Sequence, residues 1–186
     1  MTPNVQALQE LCDLLEGKHP KYALPEHYIF DMGNWMLKDA TKVALIELYG
    51  EKKTNGCTTA GCALGYAIQC LPKFRKGYKL VRIDKLKAGF ALNYRSPNGE
   101  FVSWTSWEND GIGSPLGLEY NEFWYLFGAG QAYDIDCVFR RLSHSNKDQD
   151  DQRLIYGAGA RKETVRRIKK LLKEFKAREM EIENAA

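Results

Sequence analysis

No run of apolar residues in this chain approaches the roughly 20 that a membrane-spanning helix requires. The N-terminal segment MTPNVQALQELCDLLEGK also lacks a basic region followed by an apolar stretch, so nothing directs the chain to secretion. Both absences favour a cytoplasmic protein with no membrane partner. An excess of one charge is missing too: 27 Lys and Arg oppose 24 Asp and Glu, a formal +3, which gives no overall electrostatic case for a nucleic-acid binder. Histidine is scarce, with His19, His27 and His144 all outside any recognisable catalytic signature. The five cysteines, at 12, 57, 62, 70 and 137, are odd in number and irregular in spacing, which excludes a disulfide framework and predicts reduced thiols. No internal repeat and no long linker divides the chain.

What remains is an ordinary globular composition, 44% hydrophobic and 12% aromatic over 186 residues. A chain of that length buries roughly 70% of the surface its unfolded form exposes. The expectation is one domain over residues 1–186, with a tail that frays from about residue 180.

Thr2-Pro3 followed by Val5, Leu8, Leu11, Cys12 and Leu15 predicts an amphipathic helix over 3–16 that ends near Gly17. Pro20 and Pro25 interrupt the next stretch before an aromatic segment of Tyr28, Ile29, Phe30 and Trp35. VALIELY at 43–49 fits either a short strand or a buried helical turn. Branched and aromatic residues predict strands over 78–83, 89–94 and 101–107, the last two joined by the turn Ser96-Pro97-Asn98-Gly99. Helices are expected at 120–127, around Ile135 to Leu142, and along the stripe Val165, Ile168, Leu172 and Phe175. Residues 145–153 read as an exposed loop. Hairpins and helices in this order do not form βαβ units, so the fold class is α+β, a small antiparallel sheet packed by several helices.

The stretch NGCTTAGCALGYA at 55–67 stands apart in composition. Ala60, Ala63, Leu64, Ala67, Ile68 and Leu71 recur at helical spacing up to Pro72, which predicts a helix over 58–71 with Cys57 near its first turn. A cysteine there is favoured as a thiolate by free backbone N–H groups and by the helix dipole. Cys57 with His144 as its base is therefore the weak catalytic candidate, and a cysteine-dependent hydrolase or transferase is the alternative function. The plainer reading is a tightly packed helix of small residues in which the thiols are buried apolar groups. Cys57 and Cys62 are spaced too widely for a structural zinc site and have no second ligand pair, so no metal and no cofactor are expected.

Phe30-Asp31-Met32 with Trp35, then Cys57, Thr59, Cys62, Gly65 and Ala67, then Leu116-Gly117-Leu118 leading to Leu126-Phe127, resemble an uncharacterised protein family of bacteriophages and bacteria. The shared blocks cover about half of the chain. Thr58 stands where the family shows Gly, and the segment between Trp35 and Cys57 is longer. The resemblance implies a phage or bacterial origin, a bacterial host cytoplasm and an accessory role such as counter-defence. It also groups Asp31 and Trp35 with the cysteine helix, where Cys57, Thr58, Thr59 and Tyr66 lie, and with the aromatic Leu-Gly-Leu helix. Apart from the resemblance, residues 104–127 are the most aromatic part of the chain; most of these rings are expected in the core, and Trp107 and Trp124 are the candidates for a pocket wall. An Asp31 buried between Phe30 and Met32 needs a partner, and the start of the cysteine helix near Thr58 and Thr59 supplies donors.

Local charge is less even than the total. Lys73, Arg75, Lys76, Lys79, Arg82, Lys85 and Lys87 are opposed within the strip only by Asp84, and the final helix adds Arg166 and Arg167 among further basic residues. The expectation is a positive surface, read through Arg75, Lys76, Arg166 and Arg167, for an anionic partner. The leading function is a non-catalytic protein that binds a host protein or an anionic small molecule. A nucleic-acid binder is the third reading, and no motif accompanies it.

Overall fold

A computed structural model describes residues 3–32, 36–37, 45–46, 57, 59–82, 89–96, 98–103, 116–127 and 157–185. The fold is α+β, with a six-stranded mixed sheet and five helices among the described residues. None of the described helices is long and apolar enough to cross a membrane.

Helix α1 (Val5–Glu16) starts two residues later than the Thr2-Pro3 signal suggests. Asn4 is the cap, its side chain accepting the Ala7 N–H at 3.0 Å. Gly17, at φ +73°, ends the helix, and the Gly17 and Lys18 N–H groups donate to Leu14 and Asp13 carbonyls. Leu8, Leu11, Leu14 and Leu15 are buried along one face, each worth about 2 kcal/mol of apolar burial.

Strands β1 (Ile29–Phe30), β2 (Met36–Leu37) and β3 (Ala60–Gly61) are two residues each. They lie beside the longer β4 (Tyr78–Arg82) and β5 (Gly89–Arg95) in the order β1-β3-β2-β5-β4, and β6 (Phe101–Ser103) pairs with β5. The sheet departs from the antiparallel expectation at one pairing: β1 runs parallel to β3, with Ile29 opposite Ala60. The remaining pairings are antiparallel. Gly99, at φ +84°, turns β5 into β6 as the Ser96 to Gly99 signal predicts, with the Ser96 N–H donating to Glu100 O at 2.7 Å.

Helix α2 (Ala63–Cys70) begins five residues later than the predicted start at 58. The cause is competition for the backbone. Ala60 and Gly61 complete ladders with both β1 and β2, and those hydrogen bonds outweigh a helical pattern that at Ala60 rests on a methyl group. A short helix α3 (Phe74–Gly77) then leads into β4.

Helix α4 (Tyr120–Phe127) packs on α5 (Gly157–Ala185), which also packs on α1. Val165, Ile168, Leu171, Leu172 and Phe175 form the buried stripe of α5, close to the stripe read from sequence. Its helical backbone continues to Ala185, through the segment where fraying is expected. Of VALIELY, Leu45 and Ile46 are helical and the rest lies outside the described residues, as do the helix expected near 135–142 and the loop at 145–153.

Candidate functional site

The cysteine motif is a packing device at the junction of β1, β3 and α2. Cys57 lies outside the first turn of α2, which begins at Ala63, and burial raises its thiol. Cys62 occupies the cap instead, its Sγ accepting the Gly65 N–H at 3.4 Å. Burial pushes the Cys62 thiol up to about 12, with the Asp31 charge adding to the rise and backbone N–H groups opposing it. Cys12 is likewise raised to about 11 by burial and then by the Glu16 carboxylate. The described cysteines are all free thiols. His144 and Thr58 lie outside the described residues, as do Trp35 and Trp107.

Asp31 is buried, and its N–H donates to Gly61 O at 2.9 Å, which carries the β1–β3 pairing one residue further. Thr59 is buried in the extended segment before β3, and its carbonyl accepts the Ile29 N–H at 3.0 Å. The sequence expectation set Asp31 at a helix start near Thr58 and Thr59. Thr59 precedes the helix, whose cap is Cys62, and the Asp31 charge acts on that cap residue, so Asp31 approaches the helix start at Cys62 rather than at Thr59. Tyr66 is fully buried: its hydroxyl donates to Ile29 O at 2.9 Å, with Thr59 O at 3.4 Å, and its ring stacks on Phe30. These residues join two strands to a helix and leave Tyr66 no surface for a ligand. Trp124 lies on α4. Among the described residues no three His, Cys, Asp or Glu side chains gather at metal-binding distance.

The basic residues also divide. Arg167 is 1% exposed; its guanidinium donates to Glu163 at 2.9 Å and to Tyr125 O at 3.0 Å. Arg166 reaches the same carboxylate with two bonds of 2.7 Å. Arg166 and Arg167, expected as part of a positive surface for an anionic partner, are instead matched by Glu163 about one helical turn away. Lys73 pairs with Glu10, and Lys169 with Glu16 at 2.8 Å, so both basic clusters lend a lysine to α1.

Arg75, Lys79 and Arg95 behave differently, and a cleft of about 640 Å³ explains what they share. Its walls come from the end of α2 (Ile68, Gln69), from β4 (Tyr78, Lys79, Leu80), and from Met36, Phe90, Phe101, Arg75 and Arg95. Along β4, Tyr78 and Leu80 alternate with Lys79, so the lining draws on both faces of the strand. The two guanidinium groups are fixed by neutral carbonyls. Arg75 donates to Ile68 O and Gln69 O at the end of α2, and Arg95 donates to Lys76 O at 3.0 Å and Gly99 O at 2.7 Å. Arg95 and Lys79 both stand over the Phe101 ring, at 4.6 and 5.6 Å from its centroid. Among the described residues no carboxylate pairs with any of the three, and none lines the cleft.

Sequence reading found Arg75 and Lys79 as part of a basic strip but missed Arg95, Phe101 and Gln69. A signal for two of these exists. The Ser96 to Gly99 turn closes a hairpin in which Arg95 faces Phe101, so a cation and a ring were bound to meet across the strands. Comparison with family models, with curated proteins and with solved structures gives no match.

Proposed function

We propose that the protein is a non-catalytic binding protein whose cleft holds an anionic small molecule. The observation that carries this reading is the set of Arg75, Lys79 and Arg95 around one cleft without a carboxylate among its described lining residues. Like charges held together on a surface raise its potential and favour an anion. Guanidinium groups already oriented by carbonyls lose little freedom on meeting a carboxylate or phosphate. A volume of about 640 Å³ suits a ligand of cofactor or drug size, and the part-exposed Phe90 and Phe101 offer it apolar surface to rest on.

The raised thiols of Cys57 and Cys62 support a binding role over nucleophilic catalysis, because both are protonated at neutral pH. The family resemblance adds a phage or bacterial setting, in which sequestering such a ligand would serve counter-defence in the host cytoplasm.

The test is ligand capture by the full chain from a bacterial small-molecule extract, with mass spectrometry of what is released, beside a variant carrying Lys79→Glu and Arg95→Glu. The reading expects an anion that the wild type retains and the variant loses, with affinity that falls as salt rises. Equal retention by both proteins, or retention of neutral compounds only, would overturn it.

A further inference from the structure

Strand β4 ends the path β1-β3-β2-β5-β4, so among the described strands only β5 pairs with it. Two hydrogen bonds outside the ladder fix which of its backbone groups face outward. The Ser96 N–H donates to Glu100 O, on the β6 side of β5. Because backbone groups alternate along a strand, Tyr94 and Leu92 also face that side, while Asn93 and Ala91 face β4. The Tyr78 N–H donates to Phe74 O, away from its strand partner Tyr94, as the same alternation requires. Lys79 with Asn93 and Val81 with Ala91 are therefore the hydrogen-bonded pairs, and the N–H and C=O of Leu80 point to the outer edge. No described residue donates to or accepts from either group. The residues on either side, Lys79 and Val81, are exposed.

An open edge is a template for a further strand, and charge decides which strand it accepts. Strands β4, β5 and β6 carry Lys79, Arg82 and Arg95 and contain no Asp or Glu. Lys79 pairs with no carboxylate among the described residues. We propose that the edge of β4 binds an extended acidic segment of a partner protein, which adds as a strand through the Leu80 N–H and C=O with a carboxylate toward Lys79. Main-chain hydrogen bonds supply the affinity of such an addition, and the side chains beside them supply its selectivity. A second copy of this chain is a poorer occupant. Pairing β4 with β4 would bring Lys79 and Arg82 of both chains to one seam, where like charges repel. The edge is also distinct from the cleft, because Val81 is not among the described lining residues, although Lys79 belongs to both.

Two measurements on the full chain test this. Amide hydrogen exchange read by NMR should find the Leu80 N–H exchanging about tenfold faster than those of Lys79 and Val81, which the ladder protects. Equal protection of Leu80 overturns the proposal, because the edge is then already covered. Fluorescence anisotropy follows a labelled peptide of about ten residues built from Glu, Val and Thr, beside its Lys-for-Glu counterpart and its fully N-methylated form. The acidic peptide should bind about tenfold more tightly than either and slow Leu80 exchange by a similar factor, and Val81→Glu should weaken it about fivefold. Absence of binding, equal binding of the N-methylated form, or binding that leaves Leu80 exchange unchanged overturns the proposal. A dimer of the chain alone with Leu80 protected gives the edge to a second copy and overturns it as well. Small-anion retention by the cleft is read separately and should be the same in Val81→Glu as in the wild type, so either reading can fall while the other stands.

Discussion

Glu163→Gln removes the charge from a carboxylate that serves two arginines, only one of which can return to water. Arg167 is 1% exposed and stays desolvated when its partner is neutralised, whereas Arg166 is exposed. Breaking a buried ion pair from one side costs about 3–5 kcal/mol, because the surviving charge is left uncompensated. The glutamine oxygen still accepts one N–H from Arg167, which recovers about 1 kcal/mol. The exposed Arg166 pair adds at most about 1 kcal/mol to the loss. The net expectation is a loss of about 2–5 kcal/mol, equivalent to roughly 4–20 °C in Tm for a domain of this size.

Urea unfolding followed by far-UV circular dichroism at neutral pH measures it, with an unchanged m-value as the check that the unfolded states match. The pH dependence gives a second reading. Hydrogen bonds from Arg166 and then Arg167, with the charges of both, hold the Glu163 carboxyl below its usual range despite burial. A depressed carboxylate contributes stability that is present above its unfolded value of about 4.3 and is lost as pH falls through the folded value. The gap between wild type and variant should therefore hold at neutral pH and close on acidification below about pH 4.3. A neutral-pH loss under about 0.5 kcal/mol, or a gap that acid does not narrow, would refute the assignment of this pair as a buried tie.

Two further outcomes follow from the cysteine junction. Alkylation by iodoacetamide at mildly alkaline pH should be slower at Cys57 than at a free model thiol and slower still at Cys62, since burial raises both; a Cys57 rate above that of the model thiol would restore the nucleophile. Tyr66→Phe removes the donor to Ile29 O from a fully buried site and should lower stability by about 1–2 kcal/mol, measured by the same urea titration, with no loss of anion binding.

The parts of the fold that were legible in sequence are those with long periodic patterns or explicit turn chemistry. The α1 and α5 stripes and the β5–β6 hairpin announce themselves because several large side chains agree on one face, or because Ser96 to Gly99 leaves the chain few alternatives. The β1–β3–β2 region was not legible. Each of those strands is two residues long, below any window in which alternation can be counted, and their pairing is decided by partners 23 to 31 positions apart in sequence. The same limit displaced Cys57 from a helix that starts six residues further on.

The binding residues follow a similar division. Arg75 and Lys79 were visible as a cluster of like charge, yet the reason they matter is that neighbouring carbonyls, not carboxylates, hold the guanidinium groups. Arg166 and Arg167 looked equivalent to them and proved otherwise, because Glu163 is three and four residues away on the same helix face. Spacing to the nearest acid was the discriminating observation, and it was present in the sequence.

The packing of α1 on α5 sets the order in which the chain can complete itself during synthesis. Glu16 meets Lys169, 153 positions away in sequence, and the apolar stripe of α1 finds its cover on the same distant helix. At a translation rate of about 5–20 residues per second, α1 waits roughly 8–30 s on the ribosome before that helix has been made. Through that interval Leu8, Leu11, Leu14 and Leu15 cannot all be sheltered as they are in the finished fold. A nascent chain halted before Gly157 therefore carries an incompletely covered leucine stripe at its leading end, available to chaperones and proteases. Full-length synthesis, rather than any single local element, is the step that commits this protein to its native state.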